Sequence, residues 1–542
     1  MADPSFTLND DQIYEIFEEI PSDGESIDGL DDDRWEEEER YLQQDGTQLP
    51  AYLEAQTDNE LIDITNLPLF IEDEMGQHEL PPTDPVAIGP PQDDPGSSTE
   101  PQDDDVIQFD DNDTPLCLRY HEEIGYIWGE KYTKNNSDFT FRKTSGPSHE
   151  NLSSPIDYFM DIFPEDLINR IVFQTNLYCT QKLQGGSNFV PTTNNEVKVF
   201  LGINILMGIK RLPSYRDYWS ADPAIRDPFI SSAMTVNRFG WFLTNLHLND
   251  NTNMPNRQDP AYDKLFKIRP FLDTLSRTFL ESYQPKEFQS VDESMIRFKG
   301  RSTLKQYMPL KPVKRGYKVW VRADESGFIC EFQIYTGRLR DGRAEKLLGE
   351  RVVRDLTEKI VGENHKVYFD NFFSSMDLLK VLQSQKIQAC CTVRKDRVNL
   401  PKFFNKDQIM RRGDSDVRCT LAGLVCVKWM YKKPVIFASN YHDPNEKSSV
   451  KRKLKNGTKV DVPSTTLVSD YNKHMGYVDK ADQLKKCYQI DRRSRKWWHR
   501  IFFHFLDVCI VNSYIMFSQQ SEGATLSLKQ FQDQLITKLD VQ

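Results

Sequence analysis

Three aspartates stand where an acid needs an explanation. Asp292 lies in the strand-like run Phe288-Gln289-Ser290-Val291-Asp292, Asp370 ends the apolar run Val367-Tyr368-Phe369, and Asp479 lies in a helix-like run. A carboxylate taken out of water is costly unless it is paired or bound to a metal. Taken singly, each has an ordinary reading, such as Asp370 capping the helix that follows it. Taken together, in this order of strands and helices, they point to one shared site. Carboxylate oxygens without accompanying Cys or His suit hard cations, Mg²⁺ or Mn²⁺. Two such ions ~3.5–4 Å apart activate an attacking oxygen and stabilise the leaving one during phosphodiester cleavage. Asp482, three residues after Asp479, shares its helical face. It either supports the metal site or forms a surface pair with Lys485 or Lys486.

Basic residues flank these acids. Residues 297–322 contain nine, Arg297, Lys299, Arg301, Lys305, Lys311, Lys314, Arg315, Lys318 and Arg322, and no acid. A second cluster, Arg492, Arg493, Arg495, Lys496 and Arg500, interleaves with Trp497 and Trp498. Lysine and arginine neutralise phosphates and release counterions, and aromatic rings stack on unpaired bases, so both runs are read as DNA contacts. Trp429 reads either as a core residue of a β-rich unit or as a platform for a flipped base. The basic loop Lys451 to Lys455 reads as a nuclear-import signal or a DNA contact.

The elements that must position these residues alternate. From Leu116 to about Lys286 the chain reads as mainly helical, with helical apolar spacing over Asn195 to Lys210 and Lys264 to Tyr283. Strands are predicted over Phe288 to Asp292, Gly316 to Ala323 and Gly327 to Tyr335, the last two joined by a turn at Asp324-Glu325-Ser326. A helix from about Ala344 to Ile360, the strand Lys366 to Phe369, a helix from Ser374 to Gln383 and a strand from Ile387 to Val393 follow. That order describes a mixed α/β sheet. Residues of about 396 to 465 break it with short β-like runs, Arg418 to Tyr431 and Pro434 to Ser439, and read as a separate insert. From Ser469 the chain turns helical again.

The charge is unevenly spread. Of 82 acidic and 68 basic residues in the 542-residue chain, the first 115 positions hold 35 acids and only Arg34 and Arg40 as bases. That arm carries −33 and the remainder +19, the asymmetry of a nucleic-acid binder with an acidic tail. The arm lacks the apolar surface to offset its ordering entropy and is expected to be disordered, with short islands such as Ile62 to Ile71 available to dock on host proteins. No secretory signal opens the chain. The apolar stretch Trp497 to Phe517 is interrupted by Arg500, His504, Asp507 and Asn512, so it reads as a core helix and no membrane partner is expected. The nine cysteines form no C-x-x-C pair, so no zinc is expected, and their odd number suits a reducing compartment.

Three blocks carry a family resemblance. Val291-Asp292-Glu293-Ser294-Met295-Ile296-Arg297-Phe298-Lys299-Gly300-Arg301, continued by Lys311-Pro312 and Gly316-Tyr317-Lys318, is similar to the first-aspartate block of the piggyBac transposases. Tyr368-Phe369-Asp370-Asn371-Phe372-Phe373-Ser374-Ser375 resembles the second block, and Gly476-Tyr477-Val478-Asp479-Lys480-Ala481-Asp482-Gln483 the third. The resemblance covers roughly residues 116 to 520. It implies an α/β fold with a ribonuclease H-like catalytic core at 288–396 and 466–485, interrupted by an insertion domain at 397–465. A helical dimerisation and DNA-binding domain at 116–287 and 486–542 would flank it, behind the disordered arm 1–115. It implies Asp292, Asp370 and Asp479 as a metal-binding triad and Asp482 as a supporting fourth acid. The implied activity is cut-and-paste transposition by a nuclear homodimer acting on double-stranded DNA, with excision through hairpinned ends and insertion at TTAA. Two departures stand out. Tyr477 replaces the second glycine of the usual Gly-Gly before Val-Asp, and the cysteine-rich zinc module that usually ends family members has no counterpart after Cys509. A domesticated DNA- or chromatin-binding protein and a nuclease without strand transfer stay open as rivals.

Overall fold

Short polar side chains start the helices of the N-terminal half. Ser154 and Asp157 close a reciprocal capping box at α1 (Pro155–Ile162), and α2 spans Glu165–Leu183. Thr193 accepts from the Glu196 amide to open α3 (Asn194–Ile209), Asp227 caps α4 (Pro228–Ala233), and Thr235 caps α5 (Val236–Asn245). Each cap satisfies an amide that the first turn leaves without a partner. Proline in its first turn opens α6 (Arg269–Ser282). The computed structural model describes residues 126–132, 140–183, 189–309, 311–337, 347–453, 458–492, 494, 496–520 and 526–539. The expectation of disorder in the arm 1–115 lies outside the described residues, as do Arg493 and Arg495.

After the two-residue pair β1 (Gly146–Pro147) and β2 (Tyr283–Gln284) come the strands that carry the acids. They are β3 (Phe288–Arg297), β4 (Gln306–Tyr307), β5 (Arg315–Asp324), β6 (Ile329–Ile334), β7 (Lys366–Phe369) and β8 (Gln388–Val393). Helix α7 (Leu348–Thr357) precedes β7, and α8 (Met376–Ser384) connects β7 to β8. In space the order is β6-β5-β3-β7-β8: β6, β5 and β3 run antiparallel, whereas β3, β7 and β8 run parallel. β3 is longer than the five residues expected, because Glu293 to Arg297 go on pairing with β5 as far as Gly316. Gly316 has no substitute there. A Cβ would stand 1.9 Å from the Ile296 carbonyl oxygen, well inside contact distance.

The segment read as a separate insert contributes to this same sheet. β9 (Ser415–Cys419), β10 (Val425–Met430) and β11 (Pro434–Ser439) continue it beyond β8 through an antiparallel β8–β11 pair. The single run expected over Arg418 to Tyr431 is thus two strands, with Thr420 bonding back to Leu424 at the turn. Within this segment, β12 (Lys447–Lys453) and β13 (Lys459–Thr465) form a separate two-stranded sheet. Of the basic loop expected at Lys451 to Lys455, Lys451, Arg452 and Lys453 belong to β12, where cross-strand bonds to β13 hold them extended, and Leu454 and Lys455 lie outside the described residues.

The remaining helices are α9 (Thr466–His474), α10 (Tyr477–Cys487), α11 (Trp497–Gln520) and α12 (Leu528–Lys538). α11 is long and apolar enough to cross a membrane, but 83% of its apolar window is buried inside the protein. It packs on α1 and β3 and shares one core with α1, α3, α6 and α12, so segments from both ends of the described chain build a single helical layer. That layer covers one face of the sheet through Ile296, Val319 and Val321. α7 and α8 cover the other through Val291, Trp320 and Val367.

Candidate active site

Strand register brings the first two acids together. β3 and β7 are parallel with Val291 opposite Phe369, so Asp292 and Asp370 come next in line on neighbouring strands, whose axes lie ~4.8 Å apart. β7 stops at Phe369 while β3 continues, which opens a gap at the carboxyl end of the parallel strands. Asp370 Oδ1 accepts from the Phe372 amide at 2.8 Å in the turn after β7, and Asp292 Oδ1 from the adjacent Glu293 amide at 2.7 Å within β3, so local bonds orient both side chains. Asp479 arrives on the first turn of α10, where the helix dipole favours an anion. Asp482, one turn later, accepts from Ser294 Oγ on β3 at 2.8 and 2.9 Å and from Lys485 Nζ at 2.6 Å. It therefore makes the expected pair with Lys485 and, in addition, ties the helix carrying Asp479 to the strand carrying Asp292.

A further acid lies beside Asp292, Asp370 and Asp479. Glu293, with a 10% exposed side chain, lies 3.6 Å from Lys311 and 3.9 Å from Lys318. Lys318 reaches it diagonally across the β3–β5 pair, where Glu293 faces Trp320 two residues on. Burial pushes Asp292 well above the usual carboxylate range, and Glu293 and Asp370 push it further, against Lys311. Burial likewise raises Asp370, reinforced by Glu293, and raises Asp479, reinforced by Asp482 and Glu293. Burial alone would lower the Lys311 ammonium, but Asp292, Glu293, Asp479 and Asp370 together hold it above the ordinary lysine range. Strand alternation hid Glu293 from sequence reasoning, because it sends neighbours 292 and 293 to opposite faces.

The basic residues divide by depth. Arg297, Lys299, Arg301 and Lys314 are exposed around the end of β3 and the loops at β4. Lys305 and Arg315 are half-buried, Lys305 donating to the Gly300 carbonyl and Arg315 lying over Tyr307. Lys311 and Lys318 face the acids. Arg322 is a correction: it is fully buried in β5, its guanidinium bonded to Gln289 and to the Leu356 carbonyl, so it offers nothing to a phosphate. The described members of the second cluster are also turned inward. Arg492 bonds Asn204 at 2.9 Å and lies over Phe239, Lys496 donates to the Thr244 carbonyl, and Arg500 pairs with Asp491 and donates to the Arg297 and Arg492 carbonyls. Arg492 and Lys496 are thus bonded within the helical layer, and Arg500 joins that layer to the end of β3. Trp429 is 1% exposed and donates to the Pro463 carbonyl at 2.9 Å, so its core reading replaces the base-platform one.

A family model described as "Transposase IS4" matches residues 154–514, a span that includes all three aspartates. Human PiggyBac transposable element-derived protein 3 is 32% identical over 370 residues, covering 66% of this chain and 60% of that protein. The chain belongs to the piggyBac transposase family. Human PiggyBac transposable element-derived protein 2 is 28% identical over 422 residues, covering 75% of this chain and 69% of that protein. Among solved structures, a piggyBac transposase synaptic complex with hairpin DNA matches with a TM-score of 0.63 at 23% identity, over 73% of this chain and 82% of that one. That likeness shows a shared fold.

This piggyBac-family chain accommodates its departure at Tyr477 without strain. Gly476 has φ −84°, a conformation open to any residue, and Tyr477 is the first helical residue of α10, its hydroxyl bonded to His474. Sequence reasoning missed Arg394 and Arg397. Arg397 donates to the carbonyls of Asn371 at 3.1 Å and Phe372 at 2.8 Å, and Arg394 donates to the Asn371 side chain at 3.0 Å, clamping the turn that follows Asp370. Arg397→Ala leaves these carbonyls without their donor and is expected to lower stability by about 1–3 kcal/mol. Urea denaturation checks this; an unchanged midpoint would show that the turn stands without the clamp. A cavity of about 1220 Å³ between α6, β6 and α7 is lined by none of the predicted site residues.

Proposed function

We propose that the chain cleaves and joins DNA as a cut-and-paste transposase, with Asp292, Asp370 and Asp479 holding two divalent ions, Mg²⁺ or Mn²⁺, in a ribonuclease H-like core. The observation that carries this reading is the β3–β7 register that sets Asp292 and Asp370 on neighbouring strands, with α10, which carries Asp479, packed against β3. The order β6-β5-β3-β7-β8, antiparallel then parallel, supports the ribonuclease H-like assignment. The donor set fits the metal. Asp292, Glu293 and Asp370 are partly buried and Asp479 is more exposed, and two lysines lie near them, leaving an excess of negative charge that partial burial penalises. Among the described residues no group of three or more His, Cys, Asp or Glu side chains is already arranged to hold a metal ion, so the support is chemical: hard carboxylate oxygens match Mg²⁺ or Mn²⁺.

When bound, the pair of ions supplies activation of the attacking oxygen and stabilisation of the leaving one. The chain's residues do the rest. Asp370, oriented by the Phe372 amide, and Asp292, oriented by the Glu293 amide, present fixed oxygens. Asp482 keeps Asp479 in register through Ser294. The exposed Arg297, Lys299, Arg301 and Lys314 contact backbone phosphates beside the acids, releasing counterions. The proposed substrates are double-stranded transposon ends and TTAA targets, met in the nucleus by a homodimer. Support comes from the family membership and from the likeness to a structure whose title names a synaptic complex with hairpin DNA.

A metal titration tests the ligand set. Mg²⁺ or Mn²⁺ at a hundredfold excess over its Kd stabilises a native state by about 2.7 kcal/mol. The melting temperature of the full chain is expected to rise accordingly, and Asp292→Asn, Asp370→Asn and Asp479→Asn should each blunt the rise. An equal rise in all four proteins would mean that the metal binds elsewhere.

A further inference from the structure

The acidic cluster already contains a cation. Lys311 comes from the loop between β4 and β5, and its ammonium lies 3.6 Å from Glu293, near enough to Asp292, Asp370 and Asp479 to feel their charge. The two lysines of the site are held differently. Lys318 projects from the middle of a buried strand, 4.6 Å from the centre of the Phe372 ring and 5.8 Å from that of Trp320, and cannot leave without disturbing the sheet. Lys311 belongs to no strand or helix, and its side chain keeps 32% exposure. A flexible four-carbon stem on a loop can withdraw; a point charge inside the cluster competes with any other cation that enters.

We propose that Lys311 is the exchangeable counter-cation of the site. Its ammonium neutralises the carboxylates in the metal-free protein, withdraws when divalent ions bind, and then stands beside the exposed Arg297, Lys299, Arg301 and Lys314 to receive a DNA phosphate. This rests on the metal-dependent reading above. It gives the metal-free protein a reason to keep these acids near one another: without a cation their repulsion would loosen the end of the sheet. It also couples the two halves of the site, because metal entry releases a positive charge towards the DNA.

Two readouts on the full chain test the exchange. In wild type, acetylation of Lys311 by an N-hydroxysuccinimide ester, followed by peptide mass spectrometry, is expected to be several-fold faster with saturating Mn²⁺ than without it. Separately, Lys311→Met removes the competitor, and the Mn²⁺ concentration giving the half-maximal rise in melting temperature should fall roughly tenfold, as expected for a charge a few ångströms away. Lys359→Met, which removes an exposed charge far along the chain, should leave that midpoint in place. Labelling that is unchanged or slowed by Mn²⁺ while the melting temperature rises would overturn the exchange and leave the metal reading standing. So would a midpoint that stays or increases in Lys311→Met. If Mn²⁺ stabilises neither wild type nor Lys311→Met, the metal reading falls and the exchange with it. Because the labelling uses wild type, the test holds even if Lys311→Met does not fold.

Discussion

Asp370→Asn is expected to bind double-stranded DNA as wild type does and to leave it uncut. The substitution keeps the shape of the side chain and an oxygen able to accept from the Phe372 amide, so the turn after β7 should persist. What it removes is one carboxylate charge from the cluster shared with Asp292 and Glu293. Stabilising charge that develops on a leaving oxygen is worth several kcal/mol, so nicking or joining at TTAA in Mg²⁺ should fall by more than roughly a hundredfold. Phosphate contacts from Arg297, Lys299, Arg301 and Lys314 lie outside that cluster and should keep the affinity unchanged. Gel shift and cleavage assays on intact and pre-nicked TTAA substrates separate the two effects. If wild type binds both substrates and processes neither in Mg²⁺ or Mn²⁺, the enzyme reading gives way to that of a DNA-binding protein on a transposase fold.

Trp429→Ala is expected to destabilise the protein by about 3–5 kcal/mol, the usual cost of removing a large buried aromatic side chain. The indole lies in β10 almost wholly out of water, donates to the Pro463 carbonyl of β13 and stacks on Tyr431 with ring centres 5.9 Å apart. It thus joins the extension of the main sheet to the separate β12–β13 hairpin. Denaturant midpoints measured with Trp429→Phe alongside should show the larger loss in the alanine variant, since phenylalanine keeps most of the packing and forfeits only the indole hydrogen bond. An alanine variant as stable as wild type but weaker on hairpin DNA would reinstate the base platform.

The acids and the order of their elements were legible without coordinates. Strand-length apolar runs before Asp292 and Asp370, a helical run around Asp479 and the blocks built on them are local properties of the chain. The parallel register of β3 and β7 then did what the pattern implied, setting Asp292 and Asp370 side by side. Asp482 was legible by its helical spacing from Asp479, but not its bond to Ser294, which requires knowing which strand α10 lies against.

What the sequence could not decide was depth. Arg297 and Arg322 carry the same charge in the same run, yet one ends β3 in solvent and the other lies in a strand covered on both faces. Arg492, Lys496 and Arg500 read as a phosphate-binding cluster and instead hold Asn204, Thr244 and the end of β3, contacts made by segments hundreds of residues apart. Glu293 and Lys311 entered the site for the same reason. Residue type determines whether a side chain carries charge and where the hydrophobic period runs. Whether that charge meets water, a phosphate or another charge depends on distances between segments that only packing sets, and both Coulomb and desolvation energies follow those distances.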